Sequence, residues 1–357
     1  MRIVYFAHAL RSCWGHGDAH FVRGVLSELA GLGHEVGAFE PEDGASARGL
    51  EAEHGPAALD AWREAYPELP VNTWRAGADL DAACDGADLV LVHARNAPAL
   101  VARIGALRKA GAGFRLLLHG AAEAGALDLS GFDGVLALGE AQAEACRARD
   151  WGRRAFVWRQ AADVRRFRPP DRPTRREGLV FIGNCADAAR AAELDAWLFQ
   201  PVEAAGLPLD VWGPRYPEAA REALARMGAR CCGWLPNVQA PEALAWSLAT
   251  VHVPRRNEAG ASIRVFEALA CGAPLLSAPS TDDEGLLRPG EDFLLARDAA
   301  EMAASMRALA GDRDLRRALA ASGLERVRGH HTCAHRAREL EAIAREVGAS
   351  VEAATAV

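Results

Sequence analysis

Ser262, Arg264 and Glu267 open one short apolar segment and set a hydroxyl, a guanidinium and a carboxylate close together in sequence. Ser262 is a good helix N-cap, no breaker follows until Gly272, and Gly272-Ala-Pro274 supplies a stop, which predicts a helix over Ile263 to Cys271. A glycine-bearing loop, Asn257-Glu-Ala-Gly-Ala-Ser262, leads into it from an apolar run of strand length, Ala249 to Val253. At about 100° per residue, Ile263, Val265, Phe266, Leu269 and Ala270 fill one arc, while Arg264 and Glu267 lie side by side on the other flank. Two readings of that charged pair are open. It is either an i,i+3 ion pair contributing ~0.2–0.5 kcal/mol, or part of a ligand site. In the second case the free N–H groups around Ser262 and Ile263 bind an anion, and the carboxylate accepts two hydrogen bonds from a vicinal diol.

The wider stretch favours the second reading. Phe266-Glu-Ala-Leu-Ala-Cys-Gly-Ala-Pro-Leu-Leu-Ser277, followed by Arg288-Pro-Gly-Glu-Asp-Phe-Leu294, resembles the nucleotide-sugar half of GT-B glycosyltransferases, and most closely the CgeB-like proteins. The resemblance implies that Glu267 holds the ribose hydroxyls of the donor. It also exposes a departure. Many retaining members carry a second glutamate eight positions upstream, and that position here is Ala259, with Glu258 one residue away. Either Glu258 takes the role, or the sugar is held otherwise.

The elements that must position these residues read as alternating strands and helices. Arg2 to His8 is a strand, Arg11-Ser-Cys-Trp-Gly15-His16-Gly17-Asp18 a loop, Phe21 to Leu32 a helix and Val36 to Phe39 a strand. This βαβ order predicts a parallel sheet whose ligand lies at the carboxyl ends of its strands. Position 20 is histidine, so Gly15-His16-Gly17 does not complete G-x-G-x-x-G. The loop is either a plain βα turn or a lining of the cleft. Further strands are read at Leu89 to His93, Phe114 to His119, Gly134 to Leu138 and Phe156 to Trp158. His119 ends its strand just before Gly120, where a side chain is expected to project into the cleft. It is a structural residue or a catalytic or acceptor-side one, and the resemblance, which also places a histidine there, implies the latter.

Ala161 to Pro169 resembles the segment closing the first domain of GT-B proteins, and Pro170 to Arg176 reads as the linker. The alternation then restarts. Leu179 to Ile182 ends at Gly183-Asn184, Leu209 to Trp212 at Gly213-Pro214, and Ala229 to Cys232 at Gly233. Glycine at three successive strand ends lets backbone approach a ligand, which makes Gly183, Asn184, Trp212 and Gly213 candidate donor contacts beside Arg256, Ser262, Ile263, Arg264 and Glu267. His331 and His335 stand at i,i+4, but no third metal ligand accompanies them, and they read as part of a C-terminal helix. Domains are thus expected at 1–170 and 177–335, with a helix at 336–350 crossing back to the first.

Composition narrows the function classes. The chain has 357 residues and a net charge of −7, with arginines dispersed among acidic residues, which argues against a nucleic-acid partner. No stretch approaches ~20 consecutive apolar residues, and the N-terminal run is short for a signal peptide, so a cytoplasmic protein without a transmembrane segment is expected. Eight cysteines without a C-x-x-C pair read as reduced.

The expected architecture is α/β: a GT-B pair of Rossmann-like domains facing across a cleft, acceptor on the first and nucleotide sugar on the second. The expected activity is that of a glycosyltransferase of the hexosyltransferase type, moving a sugar from a nucleoside-diphosphate sugar to an acceptor the sequence does not name, without cofactor or metal. Preorganised N–H groups near Ser262 and the guanidinium groups of Arg256 and Arg264 would stabilise the departing diphosphate. No carboxylate cluster or D-x-D pair follows a strand end, and Asp282-Asp283 lies in a later turn. Two other readings share the architecture. A non-hydrolysing nucleotide-sugar epimerase would need no acceptor, and a binding protein without turnover would not hydrolyse the donor.

Overall fold

The computed structural model describes residues 1–75, 77–78, 80–120, 127–149, 151, 154–171, 178–256, 261–280 and 284–349. The chain forms two compact units. One comprises Met1–Cys13, Asp18–Gln160 and Cys333–Val357, the other Trp14–Gly17 and Ala161–Thr332.

The first unit is built on a parallel sheet of β1 (Arg2–Phe6), β2 (Glu35–Pro41), β3 (Val71–Trp74), β4 (Leu89–His93), β5 (Arg115–His119), β6 (Gly134–Ala137) and β7 (Ala155–Val157). Their spatial order is β3-β2-β1-β4-β5-β6-β7. Every residue of β4 is buried, as its unbroken Leu-Val-Leu-Val run requires of a strand covered on both faces. Helix Asp18–Gly31 packs on β2 and helix Pro98–Lys109 on β5, and helix Cys333–Glu346 packs on Asp18–Gly31. Trp158 Nε1 donates to the Arg336 carbonyl at 2.9 Å, which anchors the last helix to its unit. β3 was not anticipated: it is short and carries two exposed polar residues, Asn72 and Thr73, which mask its periodicity.

The second unit repeats the plan with β8 (Leu179–Ile182), β9 (Leu209–Trp212), β10 (Arg230–Gly233), β11 (Ala249–His252), β12 (Leu275–Ser277) and β13 (Leu294–Leu295), ordered β10-β9-β8-β11-β12-β13 and all parallel. Helix Ile263–Ala270 lies between β11 and β12 in sequence and buries Phe266, Leu269 and Ala270 in a core shared with Phe167 and Val327.

The division falls at Gln160/Ala161, ten residues before the expected linker. Ala161, Ala162 and Phe167 are fully buried, and Ala162 N donates to the His331 carbonyl at 3.0 Å, so this segment is stitched into the second unit before the prolines are reached. The same bond keeps His331 and Thr332 with that unit, and the last helix leaves it at Cys333. Of the expected linker, residues 172–176 lie outside the described residues.

Candidate functional site

In the second sheet the strand order reverses between β8 and β11. In a parallel sheet, such a reversal opens a crevice at the carboxyl ends of the two strands, where neighbouring connections diverge. Gly183 and Asn184 follow β8, and Val253 to Arg256 follow β11.

Glycines form a ledge beside this point. Gly183 N donates to the Trp212 carbonyl at 2.8 Å, and Gly213 N donates to the Gly233 carbonyl at 2.7 Å. A Cβ on Gly213, whose φ is 148°, would overlap the Gly183 carbonyl oxygen. One on Gly183 would stand 2.7 Å from the Phe181 ring. Neither position has room for a side chain, so the strand ends approach one another as bare backbone. The Tyr216 hydroxyl, which burial holds in its protonated form, donates to the Gly183 carbonyl at 3.0 Å. Trp212 is half-buried, packed against the core that contains Phe266.

The two strand ends are tied together by side chains. Arg255 Nη2 donates to Asn184 Oδ1, and Asn184 Nδ2 donates to the Gly15 carbonyl at 3.1 Å. Arg256 is exposed, and its backbone N–H reaches Glu193 Oε1 at 3.3 Å. Beneath them, Arg190 donates to the Val253 carbonyl at 2.7 Å, to the Pro254 carbonyl at 3.3 Å and to Glu193 Oε2 at 2.9 Å. A buried guanidinium therefore fixes the backbone that delivers Arg255 and Arg256.

Trp14–Gly17 belongs to this unit. A Cβ on Gly17 would stand 2.7 Å from Ile263 Cγ2, and one on Gly15, whose φ is 76°, 2.7 Å from an Arg215 Nη. Gly15-His16-Gly17 thus lies against the start of helix Ile263–Ala270. Arg215 stacks its guanidinium 5.1 Å from the Trp14 ring. It is the one non-glycine with positive φ among the described residues, at 66°. Such a conformation persists where its surroundings over-determine it, which is common beside ligand sites.

Ser262 occupies the N-cap position with extended backbone, and its side chain makes no capping bond. A helix N-terminus without a side-chain cap leaves first-turn N–H groups that favour an anion. Arg264 Nη1 donates to Glu267 Oε2 at 2.6 Å. Asn237 Nδ2 donates to Glu267 Oε1 at 2.7 Å. Glu267 is 1% exposed, where the helical wheel places it on an open flank. The turn Asn237–Gln239, thirty residues upstream, covers that flank, and no periodicity reveals it. Glu258 and Ala259 lie outside the described residues, as does Asp282-Asp283.

His119 is a correction. Its side chain does not project to an open strand end: it is 3% exposed and enclosed by the rings of Tyr5, Phe21, His93 and Trp158, at centroid distances of 6.1, 5.9, 4.9 and 5.0 Å. Tyr5 Oη lies 2.6 Å from its Nδ1. Burial pushes its pKa down to about 4, so the ring is neutral at pH 7. The structure makes it a hydrogen-bonded core residue of the first unit.

The sequence reading missed Asn237, Arg190, Arg215 and Arg255. A signal exists for Arg255, adjacent to Arg256 after a strand, and for Arg190, three residues after the helix-capping Asp187.

Residues 190–342 match the family described as "Glycosyl transferase-like". The fold is GT-B, and residues 190–342 are similar to the glycosyl transferase-like family. Together these findings indicate a glycosyltransferase. Among solved structures, the GT-B chain is similar to HepE of Anabaena in complex with UDP and glucose, with a TM-score of 0.68, 12% identity, and coverage of 97% of this chain and 100% of that one. It is also similar to sucrose-phosphate synthase from Thermosynechococcus elongatus, with a TM-score of 0.64, 16% identity, and coverage of 97% and 99%. A T4 phage BGT mutant in complex with UDP-glucose aligns at a TM-score of 0.63 and 11% identity over 98% and 100% of the two chains. No curated protein matches the sequence. Among the described residues, no helix is long and apolar enough to cross a membrane.

Proposed function

We propose that this protein transfers a sugar from a uridine-diphosphate sugar to an acceptor hydroxyl, and that the second unit binds the donor. The observation that carries the reading is the convergence at the β8/β11 reversal of a side-chain-free glycine ledge, the Asn184–Arg255 tie and an uncapped helix N-terminus followed by Glu267. The choice of uridine rests on the neighbours described with UDP or UDP-glucose.

In this proposal the diphosphate lies over the first turn of helix Ile263–Ala270. There the N–H groups of Ile263 and its neighbours and the guanidinium groups of Arg255, Arg256 and Arg264 meet the charge that develops as the diphosphate departs. Preorganised cations and N–H groups do this without a divalent ion. Glu267 takes the ribose diol. Its Oε2 is covered by Arg264 in the free protein, and Arg264 is itself one-quarter exposed. Turning that guanidinium to the phosphate uncovers the carboxylate, so one ion pair is exchanged for two ligand contacts. Gly183, Gly213 and Trp212 form the wall along which the nucleotide lies, and Gly15-His16-Gly17 covers the helix start.

A melting-temperature screen of nucleoside diphosphates tests this directly, because a ligand that binds only the folded state stabilises it by RT ln(1 + [L]/Kd). UDP is expected to raise the melting temperature most. If no nucleoside diphosphate shifts it, the proposal fails.

A further inference from the structure

Cys231 and Cys232 are adjacent free thiols on β10, the edge strand of the second sheet, which among the described residues pairs only with β9. In a regular strand their side chains would point to opposite faces and one would enter the core. Here the register shifts between Cys231↔Val211 and Gly233↔Trp212, so Cys232 is an extra residue in a bulge. A bulge bends the strand and re-aims side chains. Neither thiol is buried: Cys231 is exposed and Cys232 half-exposed, its Sγ directed back along the strand to the Arg230 carbonyl at 3.6 Å. The next residue, Gly233, provides the carbonyl that accepts from Gly213 N, the glycine that abuts Gly183.

We propose that Cys231 and Cys232 are a reversible thiol–disulfide site whose oxidation loosens the glycine ledge. The oxidant class is a small-molecule disulfide. The accessible Cys231 thiolate attacks one sulfur of oxidised glutathione, forming a mixed disulfide and releasing one glutathione thiol. Cys232 then attacks Sγ of Cys231, the Cys231–glutathione bond breaks, and the second glutathione leaves with the remaining proton. Two hydrogens pass from the cysteines to two glutathione thiols. Partial burial holds the Cys232 thiol above its ordinary pKa, and in the second step its proximity to Sγ of Cys231 offsets the low thiolate fraction.

Geometry makes the product labile. Adjacent Cα atoms stand about 3.8 Å apart, below the span of about 4.4 Å or more usual across a disulfide, so the ring closes only by turning the backbone and reopens readily under reductant. On an interior strand that turn would break two ladders. On β10 it breaks only the pairing to β9, including the Gly213–Gly233 bond. The expected consequence for donor affinity rests on the donor site proposed above, whereas the disulfide and the lost hydrogen bond do not.

The test treats the full chain with oxidised glutathione, maps thiols by peptide mass, and follows backbone amide exchange around Gly213. The expected product is a Cys231–Cys232 peptide lighter by two hydrogen atoms. The Gly213 segment should exchange faster, and dithiothreitol should reverse both changes. Cys232→Ser should stop at the mixed disulfide on Cys231. A second readout is UDP titration, which should show several-fold weaker binding after oxidation. Two unreacted thiols, a stable glutathione adduct on wild-type Cys231, or a disulfide with unchanged exchange at Gly213 would each overturn the proposal. Absence of UDP binding by the reduced protein, with the disulfide and the exchange change intact, sinks the donor assignment instead.

Discussion

The side-chain amide of Asn237 donates to Oε1 of Glu267 at 2.7 Å, and both residues are buried. Because Arg264 holds Oε2, the carboxylate is oriented from two elements far apart in sequence. Removing one donor from a buried carboxylate costs about 1–3 kcal/mol. Asn237→Ala is therefore expected to lower the melting temperature and to weaken UDP binding together. Asn237→Asp, which sets a second carboxylate against the first, should do more harm than alanine. Melting curves and calorimetric titrations of both variants check this; an aspartate variant as stable as wild type would contradict the assignment.

Gly213→Ala tests the ledge. The added Cβ overlaps the Gly183 carbonyl oxygen and the backbone is at φ 148°, so a cost of ~2–4 kcal/mol is expected from strain and overpacking. Gly206→Ala is the comparison. It has φ 67° and nothing within 4 Å of a Cβ, so it bears the conformational cost alone. Denaturant unfolding of the two variants should separate them; equal losses would mean that the close approach of Gly213 to Gly183 contributes nothing.

His119 predicts a pH dependence of stability. Its folded pKa, about 4, lies below the ordinary 6.5, so between these values the unfolded chain binds more protons. Its contribution is complete above about pH 6.5 and is lost as pH falls toward 4, with a slope approaching ~1.4 kcal/mol per pH unit. His119→Gln should flatten that part of the curve. Identical slopes in the two proteins would show that the ring is not held neutral.

Much of the second unit's frame was legible in sequence. The strand ends at Gly183, Gly213 and Gly233 follow from apolar runs broken by glycine, and the predicted helix Ile263 to Cys271 differs from the observed Ile263–Ala270 by one residue. What stayed hidden depends on distant chain. The wheel put Glu267 on an open flank because Asn237 covers it from another turn. His119 was read at an open strand end because Tyr5, Phe21, His93 and Trp158, which enclose it, come from four separate segments. The domain division moved for a similar reason. Pro169-Pro170 is the loudest local signal, yet the pairing of Ala162 with Thr332 binds the preceding segment to the second unit.

Turnover is expected to survive excess chelator. The proposed charge stabilisation comes from Arg255, Arg256, Arg264 and the helix N–H groups, so donor hydrolysis or transfer should proceed at an unchanged rate. Loss of activity in chelator, restored by Mg²⁺ or Mn²⁺, would show that a metal carries the diphosphate charge.

The most direct measurement is calorimetric titration of UDP into wild-type protein and Glu267→Gln, with melting curves of both. The amide keeps the volume but loses the charge and one acceptor. A charge-assisted hydrogen bond contributes ~1.5–3 kcal/mol against ~1 for a neutral one, so affinity should fall about 10- to 100-fold. Loss of the Arg264 pair should lower stability as well, by about 1–3 kcal/mol with one partner partly exposed. The account predicts a folded variant with that loss of affinity. A folded Glu267→Gln protein that binds UDP as wild type does would leave Glu267 an ion-pair partner alone and contradict the placement of the donor.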